Sequence, residues 1–228
     1  MTTVRTVATH EVVSAVYPRP VTERDEVGMA VGKAIDETLS RWSYEVRQSR
    51  HPTITSMRRF AAEILDRELA DADVPLTEEE RERHRSAIAA VLSAFRNSEV
   101  MGLARPRSRL ILINERAGVY AQPDYWDGRE RFYEMKSYAP RIIPPDLGLQ
   151  MQLFQCAFPG VRAYWAFFDR HATPVVPRIE SAPPLDRAAT EAVLRVAYRA
   201  ALEKGLEKVL EYIDSPVVRY SVHVDDPA

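Results

Sequence analysis

The sequence predicts an α/β (α+β) fold, a mixed sheet flanked by helices, behind a helical N-terminal region. Three observations predict it. Apolar residues recur at helical spacing through about residue 97. From about 109 to 140 the texture becomes short segments rich in β-branched and aromatic residues. Beyond that a helical pattern, two strand-like runs and a second helical pattern follow in turn.

In the stretch VGMAVGKAIDETLSRW, Val27, Ala30, Val31, Ala34, Ile35, Leu39 and Trp42 fall on one helical face. Thr53 or Thr55 can cap a second helix, ITSMRRFAAEILDREL. Thr77 stands before an acidic first turn that opens a third, and the run EEERERHR reads as its solvated face. LILINER, GVYAQPDYWD and RFYEMKSYA then predict a three-stranded antiparallel meander, with Asp127-Gly128 as the turn between the last two. A helix is expected from about Asp146 to Phe158, ended by Pro159-Gly160. RAYWAFFDR and PVVPRIE read as strands, LDRAATEAVLRVAYRAALEKGLEKVLEYI as one long helix, and VVRYSVHV as a last short strand. The expected division is a helical region over 1–104 packed on a core over 105–228, together one compact domain.

Of the 228 residues, 46% are apolar and 28% charged, which predicts a soluble globular chain. No apolar run approaches the roughly 20 residues of a membrane helix, and no secretion signal is expected. Cys156, the only cysteine, excludes an intrachain disulfide and any cysteine-rich metal site, so a cytoplasmic location is expected. A net charge of −2 argues against a protein that coats nucleic acid, though an enzyme needs only a local basic track.

The chemistry concentrates in PDYWDGRERFYEMKSY. Asp124 is expected near the middle of one strand. The turn at Asp127-Gly128 folds the next strand back beside it, and Glu134 and Lys136, two apart, share a face. Hard carboxylate oxygens in this arrangement suit Mg²⁺ or Mn²⁺, with the Met135 carbonyl as a further ligand. Such a metal activates water and polarises a phosphate, while a neighbouring lysine orients the water and offsets charge on phosphorus. Alone, Glu134-x-Lys136 reads equally as a cross-strand ion pair on a surface hairpin. On the following helix Gln150 and Phe154 are four apart and share a face. Gln150 can reach a phosphate, a metal-bound water or a catalytic side chain, and Phe154 can stack on a base.

Asp124, Glu134-Met135-Lys136 and Gln150-x-x-x-Phe154 together resemble the RecB-type branch of the PD-(D/E)-x-K nuclease superfamily, over about residues 118–158. The resemblance implies a restriction-endonuclease-like core and a Mg²⁺- or Mn²⁺-dependent DNA exonuclease. It implies Asp124, Glu134, Lys136 and Gln150 as catalytic residues, and Asp124, Glu134 and the Met135 carbonyl as metal ligands. The family tyrosine is Phe154 here. Gly32 stands where many members carry a metal-binding histidine, with Asp36 as an upstream acid. The cysteines of the iron–sulfur members are absent, so no such cluster is expected.

DNA, single-stranded or at its ends, is the expected partner. Arg107 and Arg109, with Arg105, form one candidate phosphate track; Arg47, Arg50, His51, Arg58 and Arg59 form another. Tyr125 or Trp126 should face the cleft. The chain carries no helicase motif, so processive action would require a helicase or other protein partner. An inactive nuclease fold serving in binding or assembly is the alternative expectation.

Overall fold

The computed structural model describes residues 3–209 and 215–222. Strand β1 (Thr3–Ala8) and helix α1 (Thr9–Val16) lead into α2 (Glu23–Arg47), α3 (Ile54–Asp71) and α4 (Glu78–Arg96). Four strands follow: β2 (Arg109–Leu112), β3 (Ala117–Ala121), β4 (Tyr125–Trp126) and β5 (Arg131–Lys136). Then come α5 (Pro145–Ala157), β6 (Arg162–Phe167), β7 (Arg178–Ser181), α6 (Arg187–Lys204), β8 (Leu206–Val209) and β9 (Val217–Arg219). The class is the mixed α/β one that the sequence predicts.

The helix starts follow side-chain chemistry. Thr22 with Asp25 and Thr77 with Glu80 form reciprocal capping boxes at α2 and α4. Thr53, rather than Thr55, caps α3 by accepting from the Ser56 amide.

The strands form two sheets, ordered β8-β1-β3-β2-β9 and β4-β5-β6-β7. The expected single meander is therefore divided. β2–β3 and β4–β5 are antiparallel pairs, but the middle segment breaks between Ala121 and Tyr125, and its halves join different sheets. Pro123 supplies the reason: it has no N–H to give a ladder, and it restricts the residue before it. Asp124 consequently lies in the linker just before β4, not in mid-strand.

Residues 1–104 are not all helical. β1 pairs in parallel with β3 and antiparallel with β8, so the first described residues belong to the five-stranded sheet. The expected boundary at 104 does not follow the packing. α2, α3 and α4 form one hydrophobic core with Tyr133, Met135, Ala166 and Phe168. α1, α5 and α6 form the other with Val119, Phe132, Trp165 and Phe167. β5 thus lies between the two cores, with Tyr133 and Met135 on the α2–α4 side and Phe132 on the α5 side. By strand alternation Glu134 and Lys136 share the Phe132 face.

The long C-terminal helix stops earlier than its pattern predicts. α6 ends at Lys204, Gly205 is extended, and β8 starts at Leu206. Residues 210–213 of the expected helix, and 223–224 of the expected last strand, lie outside the described residues. A Cβ on Gly205 would collide with the Ala201 carbonyl and stand 3.1 Å from both Arg5 Cβ and the Thr6 amide nitrogen. The last turn of α6 leaves no room for a side chain there, and β1 stands tightly beside it. Gly205→Ala is expected to destabilise the fold by about 2 kcal/mol, read as a lower urea midpoint. A midpoint equal to that of the parent would refute this account of the helix end. Among the described residues no helix is long and apolar enough to cross a membrane.

Candidate metal and phosphodiester site

The hairpin that builds the site is fixed by Asp127. Its Oδ1 accepts from the amides of Arg129, Glu130 and Arg131, and its Oδ2 from Arg131 Nε. Partial burial raises its pKa, but these donors outweigh that and hold it at about 2. Gly128 takes φ +81°, which lets the chain reverse. The register pairs Tyr125 with Tyr133 and Trp126 with Phe132. Continued by one step, it sets Asp124 opposite Glu134.

The Met135 amide donates to Asp124 Oδ2 at 2.8 Å. Lys136 O accepts from Phe168 N, so the Lys136 backbone faces β6. The backbone of Met135, one residue earlier, faces the opposite edge, towards Asp124. Glu134 is 4% exposed, and its Oε1 accepts from Lys136 Nζ at 2.7 Å. Its Oε2 is buried with no hydrogen-bond partner. The structure therefore unites Asp124, Glu134, the Met135 backbone and Lys136 in one buried cluster.

Electrostatics agree with that geometry. Burial, followed by the Glu134 charge, pushes Asp124 up to about 7, against the opposing pull of Lys136, the Met135 amide and Arg105. Burial lowers the Lys136 pKa, but the two carboxylates outweigh it, and the ammonium is held charged above its ordinary range. Asp36, from the middle of α2, completes the surroundings. Its pKa is raised by burial and then by the Asp124 charge. Arg105 reaches both acids, 3.5 Å from Asp36 Oδ2 and 3.6 Å from Asp124 Oδ1.

The remaining expected residues separate. Gln150 is half-buried and makes no hydrogen bond to the cluster among the described residues. It lies one turn beyond Asp146, whose charge reaches Tyr138, as does that of Lys136, so its helix face borders the site. Phe154 is not available to a base: it is 3% exposed, edge-on to Phe132 at 6.3 Å. Arg109 is also absorbed. It donates to the Ala157 carbonyl and stacks over Phe158 at 4.1 Å and Trp126 at 5.6 Å, and burial lowers its pKa. That leaves Trp126 covered by Arg109, while Tyr125 packs on Phe95 at 5.7 Å, so neither aromatic is a free stacking platform. Arg107 remains exposed, with no ion pair or hydrogen bond among the described residues. Arg47, of the second basic group, lies on α2 roughly 16 Å beyond Asp36 and so away from the site.

Two further basic groups meet residues that follow Lys136 in the chain, and neither has a sequence signal. Arg170 follows β6 and donates to Ser137 Oγ at 3.1 Å. Arg19 pairs with Asp146 at 3.2 Å.

The chain is thus a mixed α/β protein with a buried pair of carboxylates, Asp124 and Glu134, the second of them bound by Lys136. No protein-family model and no curated protein matches it. A crystal structure of a "putative exonuclease" from Eubacterium rectale is similar over 71% of each chain, at 12% identity and a TM-score of 0.44.

Proposed function

We propose that this chain is a divalent-metal-dependent nuclease that hydrolyses phosphodiester bonds in DNA, with Asp124, Glu134 and Lys136 as its working residues. The observation that carries the reading is the Glu134 carboxylate. One oxygen is bound by Lys136 and the other is buried without a donor, beside a second carboxylate. A buried, unsatisfied anionic oxygen is costly, and a cation is the group that satisfies it.

Asp124, Glu134 and the Met135 carbonyl are the oxygens that would hold Mg²⁺ or Mn²⁺; Mg²⁺ in particular keeps several waters, so few protein ligands suffice. A bound ion would lower the pKa of a water and polarise the phosphate. Asp124 is suited to this task because the Met135 amide fixes Oδ2, leaving Oδ1 to face the solvent side and Arg105. Lys136, held charged by Glu134 at 2.7 Å, orients the attacking water and faces the negative charge that grows on the phosphate oxygens. Gln150, one helical turn from Asp146, is the residue assigned to position water or phosphate.

An exonuclease of RecB type is the finer reading. It rests on the order Asp124, Glu134-x-Lys136, Gln150-x-x-x-Phe154, with the last pair on a helix that follows the paired strands. DNA ends and single strands are the substrates to try first, and a helicase is the partner to seek.

The test is cleavage of linear, circular and single-stranded DNA with Mg²⁺ or Mn²⁺, comparing wild type with Glu134→Gln. Wild type is expected to cleave and the variant to lose at least about 100-fold. Equal cleavage by both would remove Glu134 from the chemistry. One observation favours a second reading, a nuclease fold kept for binding or assembly. Among the described residues no group of three His, Cys, Asp or Glu side chains is placed to hold a metal. Absence of cleavage of any DNA or RNA form with Mg²⁺ or Mn²⁺, by a chain that remains folded, would decide for it.

A further inference from the structure

Arg105 stands apart from the other arginines of the protein. The backbone on both sides of it is tied down. The Trp126 amide donates to the Ala104 carbonyl at 2.8 Å, and Gln122 Nε2 donates to the Pro106 carbonyl at 2.6 Å. The Cα of Arg105 is thereby fixed beside β4 and the Asp124 linker. Its side chain is not fixed in the same way. It is 42% exposed, and it meets its two acids at 3.5 and 3.6 Å, distances of ion pairing rather than of tight bidentate hydrogen bonding. Those acids come from different elements, Asp36 from α2 and Asp124 from the linker before β4. The guanidinium therefore stands at the open side of the buried pair, on the Asp124 oxygen that the Met135 amide leaves free.

A cation so placed has two consequences. It lowers the repulsion between carboxylates that, among the described residues, have Lys136 as their other counter-ion. It also competes with any divalent ion for Asp124 Oδ1, because both charges cannot occupy that position. Once displaced, the guanidinium remains tethered at the mouth of the site by Asp36, with donors free to meet a phosphate oxygen.

We propose that Arg105 is a displaceable counter-ion: it bridges Asp36 and Asp124 in the metal-free site, and it turns to the phosphate of the bound DNA when a divalent ion takes Asp124. This rests on the nuclease reading above and assigns that site a fourth working side chain, with Asp36 as its anchor.

The proposal requires changes of opposite sign in two measurements on the full chain. Arg105→Gln removes the competing charge, so Mn²⁺ binding, followed by calorimetry at about pH 8, is expected to tighten about three- to tenfold. The same variant loses a phosphate contact, so cleavage at saturating Mn²⁺ is expected to fall about tenfold or more. Arg105→Lys keeps a cation there, and its Mn²⁺ affinity is expected within about twofold of wild type. Unchanged or weaker Mn²⁺ binding by Arg105→Gln overturns the counter-ion role, and tighter binding with unchanged cleavage overturns the phosphate role. Both outcomes leave the nuclease reading standing if wild type cleaves. A wild type that neither binds Mn²⁺ nor cleaves DNA overturns that reading, and this proposal with it.

Discussion

Lys136→Met is expected to cut metal-dependent cleavage by about 10²- to 10³-fold, the scale on which a preorganised charge at a developing anion acts. The side chain is 16% exposed and bound to Glu134 at 2.7 Å, with Asp124 adding to the charge that keeps it protonated. Among the described residues no other amine stands in that cluster, and Arg105 pairs with Asp124 rather than Glu134. Methionine keeps most of the volume and removes the charge, which separates loss of chemistry from loss of packing. A stability cost accompanies the change. Leaving Glu134 buried without its partner is expected to destabilise the metal-free fold by about 3 kcal/mol near neutral pH. The sign of its pH dependence follows from the carboxylates. Without the ammonium the Asp124 pKa rises further, so its protonated form is favoured and the deficit shrinks as pH falls from about 7 to 5. Wild-type rates in the variant, under conditions where it is folded, would exclude Lys136 from the reaction.

The second large effect is expected at Asp124. Its folded-state pKa of about 7 lies above the roughly 3.9 of an unfolded aspartate. For a raised pKa, the stabilising contribution is fully present below the unfolded value and is lost as pH rises through the folded one. The metal-free protein should therefore lose stability from this group between about pH 4 and pH 7. Asp124→Asn should remove that slope, so the variant gains on wild type as pH rises. Divalent metal should reverse the order. At about pH 8 saturating Mn²⁺ is expected to raise the melting temperature of wild type and leave Asp124→Asn nearly unchanged, with cleavage lost in the variant. Thermal melts at several pH values, with and without Mn²⁺, check both parts. A difference between the two proteins that is flat in pH, or equal stabilisation by Mn²⁺, would contradict the placement of Asp124 in a shared carboxylate site.

Much of the site was legible because its central part is local in sequence. Glu134 and Lys136 share a face through strand alternation, and Asp127-Gly128 brings Asp124 back opposite them. Both rules act over a few residues. The helix after β5 was legible for the same reason, as was the capping threonine Thr77. Phe154 and Arg109 show where local reading stops. Their residue types suit a base and a phosphate, yet Phe132 and Phe158 occupy their faces, and those contacts are set by how α5 packs on the strands. β1 was missed because six residues with a weakly alternating pattern become a strand only when β3 and β8 supply partners. At Gly205 a side chain would meet the Ala201 carbonyl of α6 itself and then the backbone of β1, and the second of these contacts is not visible in the helical pattern.

The sequence by itself determined helices α2 to α5 with the Thr77 cap, the β4–β5 hairpin and the acid–acid–lysine set upon it, since each depends on backbone periods and turn chemistry within about a dozen residues. The tertiary structure alone decided the rest. It divided the strands between two sheets and buried β5 between two cores, which gives Asp124 its raised pKa and leaves one Glu134 oxygen without a donor. It also brought Asp36 and Arg105 to Asp124 from separate parts of the chain. Burial and charge proximity are properties of three-dimensional distance, and no spacing along the chain encodes them.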